Sequence, residues 1–73
     1  MAIKAQVERK FKEKYGVPMT RRFNGRLFKI SARSRFGLPK SEVQTEFDFL
    51  KRSGMKYMRS VKSGKYYYVY SRV

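Results

Sequence analysis

Cationic and aromatic side chains are the residues of this sequence whose types and spacing could do chemistry. Nineteen Lys and Arg residues stand against five Asp and Glu residues, and the net charge is +14. A net charge of only about 2–8 keeps a small domain soluble, so the excess indicates a polyanionic partner. Nucleic acid is the most abundant candidate, because each phosphate that a cation neutralises releases a condensed counterion. An anionic membrane surface and an acidic protein are the alternatives.

The cations are concentrated in two segments that contain no acid. Residues 17–40 and residues 49–73 are rich in Lys and Arg, while all five acids fall in two predicted helices. Cations there would contact phosphates, and exposed tyrosines would stack on bases at about 1–3 kcal/mol per base. The alternative is that these cations only protect sheet edges from aggregation. The predicted nucleic-acid contacts are Arg21, Arg22, Arg26, Lys29, Arg33, Arg35, Arg59, Lys62, Lys65, Tyr66 and Tyr68.

The sequence offers no candidate residues for catalysis or for binding a cofactor or a metal ion. It contains neither His nor Cys, so the commonest general base and the thiolate ligands are missing. No glycine-rich phosphate loop is present, and no nucleophile lies near a plausible base. We therefore expect a non-enzymatic protein without a cofactor or metal site. The sequence has no signal peptide and no apolar stretch that could span a bilayer, which predicts a cytoplasmic protein that does not enter a membrane.

The elements that must position the cations are clearest in residues 38–72. Val43, Phe47 and Leu50 recur at helical spacing, and Gly54 follows as a helix stop. A hairpin then takes over, with strands at residues 55–62 and 65–73 joined by a Ser-Gly turn. One face of the second strand carries three tyrosines, Tyr66, Tyr68 and Tyr70.

The buried face of this second strand is expected to be the other one. Tyr67 and Val69 form the expected inward pair, since one face of the sheet must cover the helix. A slip of the register by one residue would exchange the two faces. Tyr57, in the first strand of the hairpin, is expected to belong to the core rather than to a binding surface.

Residues 26–33 leave two structures open. Phe28 and Ile30 alternate with polar residues after the Asn24-Gly25 turn signal, which favours a half-buried strand. If the helix covers the side of Phe28 and Ile30, the basic face of this strand is exposed to solvent. The alternative is a helix over residues 27–36, as in a helix-turn-helix. The Arg21-Arg22 pair just before the turn is either a flexible arm that reaches a minor groove or a linker.

The N-terminal segment predicts an amphipathic helix. Ile3, Val7 and Phe11 recur every four residues, and Gly16 suits the end of the helix. This apolar row would pack on the rest of the domain or on a partner subunit, so a homodimer through the helix is left open. The complete prediction is one α+β domain: an N-terminal helix over residues 1–16, then a β-α-β-β core over residues 23–73. Its three-stranded antiparallel sheet would carry the helix on one face.

Short motifs at residues 25–28, 40–43, 50–54 and 67–72 resemble those of a group of small basic archaeal proteins of largely unknown function. The resemblance implies a β-α-β-β core, similar to double-stranded-RNA-binding or integrase arm-binding domains. It covers about fifty residues and transfers no functional residue. A viral or plasmid origin would suit a protein of this size and charge.

The helix, glycine and hairpin also resemble the recognition helix and wing of a winged-helix protein. That resemblance implies a transcriptional regulator whose helix presents Ser41, Gln44, Thr45 and Asp48 to the major groove. Asp48 would repel phosphate there, which counts against it. The preferred prediction is therefore binding of nucleic acid, with DNA favoured over RNA, through a basic sheet face and hairpin. A protein-interaction module that uses the N-terminal helix is the other alternative.

Overall fold

Two helices, one short 3₁₀ helix and four strands make up this protein, as described by a computed structural model that covers residues 2–73, with side chains from residue 6 onward. The helices are α1, Ala2–Tyr15, and α2, Lys40–Arg52. The strands are β1, Thr20–Phe23; β2, Arg26–Ile30; β3, Tyr57–Ser63; and β4, Tyr66–Arg72. The 3₁₀ helix is Ala32–Phe36, between β2 and α2. Within the described residues no helix is long and apolar enough to cross a bilayer.

The α+β class is confirmed, but the sheet has four strands rather than three. All neighbours are antiparallel, in the order β1-β2-β4-β3. The extra strand arises at Asn24-Gly25, where φ is 53° and 78°. Two successive positive φ values are typical of a type I′ turn, which folds one strand tightly back on the next. Arg21 and Arg22 therefore lie in β1, and the prediction of a flexible arm or linker is wrong.

Residues 26–36 divide between the two predicted structures. A strand forms as far as Ile30, and a 3₁₀ helix follows, so the winged-helix alternative with a helix from residue 27 is wrong. The Ser34 hydroxyl explains why the chain can leave the sheet here. It accepts a hydrogen bond from the Val69 backbone N–H at 3.0 Å. Ser34 is fully buried, so its side chain supplies the partner that a continued strand would have given Val69.

The two faces of the sheet are covered by different elements. Phe28 and Ile30 form a buried cluster with Tyr70, and α1 contributes Phe11 and Tyr15 to the rim of this cluster. We call this side the aromatic face. The condition that the second helix covers Phe28 and Ile30 is not met, because the N-terminal segment packs on this side.

Helix α2 packs on the opposite face, which we call the α2 face. Val69 is fully buried there, as expected, and Leu50 is buried and lines one cavity with Ser71. The prediction of an exposed tyrosine row is wrong for Tyr68 and Tyr70, which are 8% and 0% exposed. Both faces are covered, so tyrosines supply core area that aliphatic residues supply in other domains.

A buried carboxylate joins α2 to the end of β2. Glu46 accepts a hydrogen bond from the Ser31 hydroxyl and lies 3.6 Å from the Arg33 guanidinium. It is only 4% exposed at its side chain, so these partners offset the cost of burying its charge. Glu46 lies three residues after Val43 and four before Leu50, on the predicted apolar face of the helix. Its burial was not predicted from the sequence.

The apolar row of α1 is divided between packing and exposure. Phe11 and Tyr15 contact the core, with ring centroids 4.5 Å apart, whereas Val7 is 50% exposed. Ile3, the first member of the predicted row, lies outside the described side chains. A homodimer through α1 therefore stays a prediction.

Tyr70 lies at the centre of the aromatic face, and its environment makes stability depend on pH. Its hydroxyl donates a hydrogen bond to the Pro18 carbonyl at 2.5 Å. Burial raises the pKa of Tyr70 above its usual value of 10.0, although the Arg21 guanidinium opposes the shift. The unfolded chain therefore releases this proton at lower pH than the folded chain does. The Tyr70 contribution to stability is complete below the usual pKa and is lost as the pH rises through the folded-state pKa.

We expect this loss to appear as a difference between the natural protein and its Tyr70→Phe variant. At neutral pH the variant should be less stable by about 1–2 kcal/mol, because the Pro18 carbonyl loses its donor. The stability advantage of the natural protein should be constant below about pH 10, the usual pKa of tyrosine, and should shrink as the pH rises above it toward the raised folded-state pKa. Urea denaturation at each pH measures both values, and the lysines titrate alike in both proteins. A stability difference independent of pH would contradict the prediction.

Candidate nucleic-acid interface

A cleft opens on the aromatic face between the β1–β2 turn and the start of β3. Strand β2 pairs with β4 only through Lys29 and Ile30, so the beginning of β2 has no partner on β4 and stands apart from β3. The resulting space has a volume of about 660 Å³. Its main lining side chains are Phe23, Arg26, Phe28, Lys56, Tyr57 and Arg59. We refer to it as the cationic cleft.

Two arginines cross the cationic cleft in opposite directions. The Arg26 guanidinium, from β2, lies 5.8 Å from the centroid of the Tyr57 ring on β3. The Arg59 guanidinium, from β3, lies 5.8 Å from the centroid of the Phe23 ring on β1. Contact with a ring orients a guanidinium while its N–H groups stay free in their own plane. Both cations are therefore positioned to donate hydrogen bonds to a phosphate.

The cationic cleft is lined by aromatic rings, and all of its charged lining residues are positive. The Phe23 and Phe28 rings meet edge to face at 5.0 Å. Lys56 adds a third cation, and none of the residues that line the cleft is an acid. The acids lie in α1 and α2. The cations of the cleft therefore have no protein counterion among its lining residues.

Arg21 extends the positive charge from the cationic cleft into the core. Its guanidinium lies 5.5 Å from the centroid of the Tyr70 ring, and Tyr70 is directly opposite Arg59 in the β3–β4 ladder. The Arg21 Nε is buried and has no hydrogen-bond partner among the described residues. Of the predicted contacts, Arg26 and Arg59 line the cationic cleft, and Arg21 lies beside Tyr70 in the adjoining core.

The predicted hairpin residues form a separate group at the far end of the β3–β4 ladder. Lys62, Lys65 and Tyr66 are exposed around the turn at Gly64. Six residues of strand separate this end from Tyr57, which corresponds to about 20 Å. The hairpin tip and the cationic cleft could therefore contact one polymer only if it follows the length of the hairpin.

Four other predicted contacts lie elsewhere. Arg33 and Arg35 belong to the 3₁₀ helix rather than to a basic strand face. Arg33 approaches Glu46, and Arg35 is half-buried 4.8 Å from the centroid of the Phe36 ring. Arg35 therefore serves a packing contact within the domain, whereas 60% of the Arg33 side chain stays exposed beside Glu46. The remaining pair is exposed on the α2 face of the sheet and consists of Arg22 and Lys29.

Two aromatic predictions are corrected by burial. Tyr68 is buried in the core and cannot stack on a base, whereas Tyr57, expected in the core, is 47% exposed at the cationic cleft. Lys56 was missed, because it precedes β3 and belongs to no periodic pattern. Its position in the acid-free segment of residues 49–73 was the only signal in the sequence.

The exposed surface of α2 suits nucleic acid poorly. Gln44, the central polar residue of the winged-helix interpretation, donates a hydrogen bond to the Asp48 carboxylate at 3.1 Å. Its amide is therefore engaged, and the acid beside it repels phosphate. Within residues 2–73, no group of three His, Cys, Asp or Glu residues could hold a metal ion.

Comparison with known proteins gives no relative for this α+β chain. No protein family, curated protein or solved structure matches it. The resemblances drawn from its short motifs therefore stay predictions.

Proposed function

We propose that this protein binds nucleic acid, preferably DNA, without catalysing a reaction, and that phosphates of the polymer occupy the cationic cleft. The observation that carries the proposal is the cleft itself: Arg26, Lys56 and Arg59 line one space with aromatic rings and without an acid. Three like charges around one space repel each other unless an anion enters it. A phosphodiester chain supplies such anions at regular spacing.

The overall charge of the chain supports the same partner. A net charge of +14 on 73 residues raises the encounter rate with any polyanion and weakens the compact state by self-repulsion. A bound polymer would offset that repulsion, so the proposal also implies that the protein is more stable in the complex. The exposed lysines of the hairpin tip would add phosphate contacts along the β3–β4 ladder.

A titration tests the proposal. Duplex DNA, duplex RNA and single strands of both, each of about twelve nucleotides, suit the site sizes that small binding domains cover. Fluorescence anisotropy measures the association constant at several salt concentrations. The logarithm of this constant should fall linearly with the logarithm of the salt concentration. DNA should bind at least as tightly as RNA. The absence of binding to all four probes at low salt would reject the proposal.

A further inference from the structure

The cationic cleft offers two chemistries side by side, and a polymer in duplex form can use only one of them. Its cations suit phosphate, but its rings suit the flat face of a base. We propose that the cleft holds an unpaired nucleotide, with its base against Tyr57 and its phosphates on Arg26, Lys56 and Arg59. The protein would then prefer single strands to duplexes. This inference rests on the proposed function and specifies the form of polymer it takes.

The exposure of Tyr57 is the first argument. Tyr57 as a residue is 47% exposed, and it does not belong to the buried cluster of the aromatic face. An exposed ring in a rigid ladder loses little entropy when a base stacks on it, and every base has such a face. In a duplex the faces of the bases are already stacked, and only their edges are accessible in the grooves. A duplex would therefore contact the rim of the cleft and leave Tyr57 unused.

The size and walls of the cleft are the second argument. Its volume of about 660 Å³ falls in the range of roughly 300–1,000 Å³ that is typical of sites for small organic ligands. The Asn24-Gly25 turn closes one side, and the beginning of β3 closes the other. Both walls belong to the same hydrogen-bonded sheet, so the space is formed before a ligand arrives and suits one base rather than a double helix.

The placement of Arg26 is the third argument. Its guanidinium already lies beside the Tyr57 ring at 5.8 Å, and guanidinium groups stack on planar rings as well as donating to phosphate. A base that enters next to Tyr57 would therefore meet a ring and a cation in one place. Lys56 and Arg59 flank this position from the same strand end and would contact the phosphates on either side of the base.

The test compares single strands and duplexes of one sequence, with full-length protein and anisotropy detection. The natural protein should bind the single strand more tightly at equal salt. Tyr57→Leu should lower single-strand affinity about 5- to 100-fold, and Tyr57→Phe should restore it, because stacking needs the ring and not the hydroxyl. Duplex affinity should change less than about 2-fold in both variants. Phe49→Leu is the matched control, since Phe49 is an aromatic residue 40% exposed on α2, outside the cleft.

A second measurement removes any dependence on how the leucine variant folds. A single strand that carries a photoreactive halogenated uracil is irradiated in complex with the natural protein, and the cross-linked peptide is identified. Attachment at Tyr57 supports the inference, and attachment only outside the cleft overturns it. Equal affinity for single strand and duplex also overturns it while leaving nucleic-acid binding intact. A natural protein that binds none of the probes would overturn the proposed function itself.

Discussion

Changing Arg26 and Arg59 together to glutamine is expected to weaken nucleic-acid binding roughly 50-fold at about 0.1 M salt. Each phosphate contact on a duplex contributes about 0.9 to the slope of log affinity against log salt, or about 0.7 on a single strand. If each arginine makes one such contact, the magnitude of this slope should fall by about 1.8 on a duplex and by about 1.4 on a single strand. Glutamine keeps a polar side chain but is shorter than arginine, so the variant removes both the charge and the phosphate contact.

The matched control removes the same charge from another place. Lys51 and Arg52 are exposed at the end of α2, and their double glutamine variant also loses two positive charges. Its affinity should fall less than about 5-fold, because a distant charge acts only through a screened field. Salt titrations of both double variants measure the slopes. Equal slopes for the two variants would show that only the total charge matters and that the cationic cleft makes no direct contact.

The helix and hairpin of residues 38–72 were predictable because their signals are local. Val43, Phe47 and Leu50 define α2 by spacing alone, and Gly54, with φ of 99°, ends it as expected. The hairpin turn needs a positive φ, which Gly64 supplies at 64°. Local signals of this kind do not depend on what the rest of the chain does, so a single sequence is enough to find them.

The first strand and the coverage of the sheet were not predictable in the same way. Strand β1 is four residues long and contains two adjacent arginines, so it carries no alternating pattern. Only its pairing with β2 across the Asn24-Gly25 turn makes it a strand. Helix α2 lies on the face opposite to the one that Phe11 and Tyr15 of α1 pack against. Such a choice is made by contacts between distant segments, which periodicity does not report.

The candidate site also combines residues that local sequence signals identify with an arrangement that depends on contacts between distant segments. The sequence singled out Arg26 and Arg59 as cations in acid-free segments, which the charge pattern shows directly. The two arginines line one cleft because β2 pairs with β4 over only two residues. The length of this pairing is a property of the whole sheet and cannot be read from either strand alone. Tyr57 and Lys56 were missed for the same reason, since their role depends on what lies opposite the beginning of β3.

Gly37→Ala is expected to destabilise the protein by about 2–6 kcal/mol, because it combines a backbone cost with a steric cost. Gly37 has φ of 86° and ψ of 132°, a sparsely populated combination where an L-residue costs about 1–3 kcal/mol. An added Cβ would also lie 2.7 Å from the Tyr66 Cβ, and overpacking of this kind costs about 1–3 kcal/mol more. The melting temperature of a domain this small should fall by about 10–30 °C.

Neither partner of this contact can move aside cheaply. The residue after Gly37, Leu38, exchanges two backbone hydrogen bonds of 2.8 Å with Tyr67, which fixes the segment to the start of β4. Tyr66 is itself held in the β3–β4 ladder. Gly16→Ala is the control, because φ there is 79° but no atom lies within 4 Å of the added Cβ. Its melting temperature should fall by only the backbone contribution, about 4–12 °C. Equal losses in the two variants, measured by thermal unfolding at one pH, would mean that Tyr66 yields and that the close contact contributes nothing.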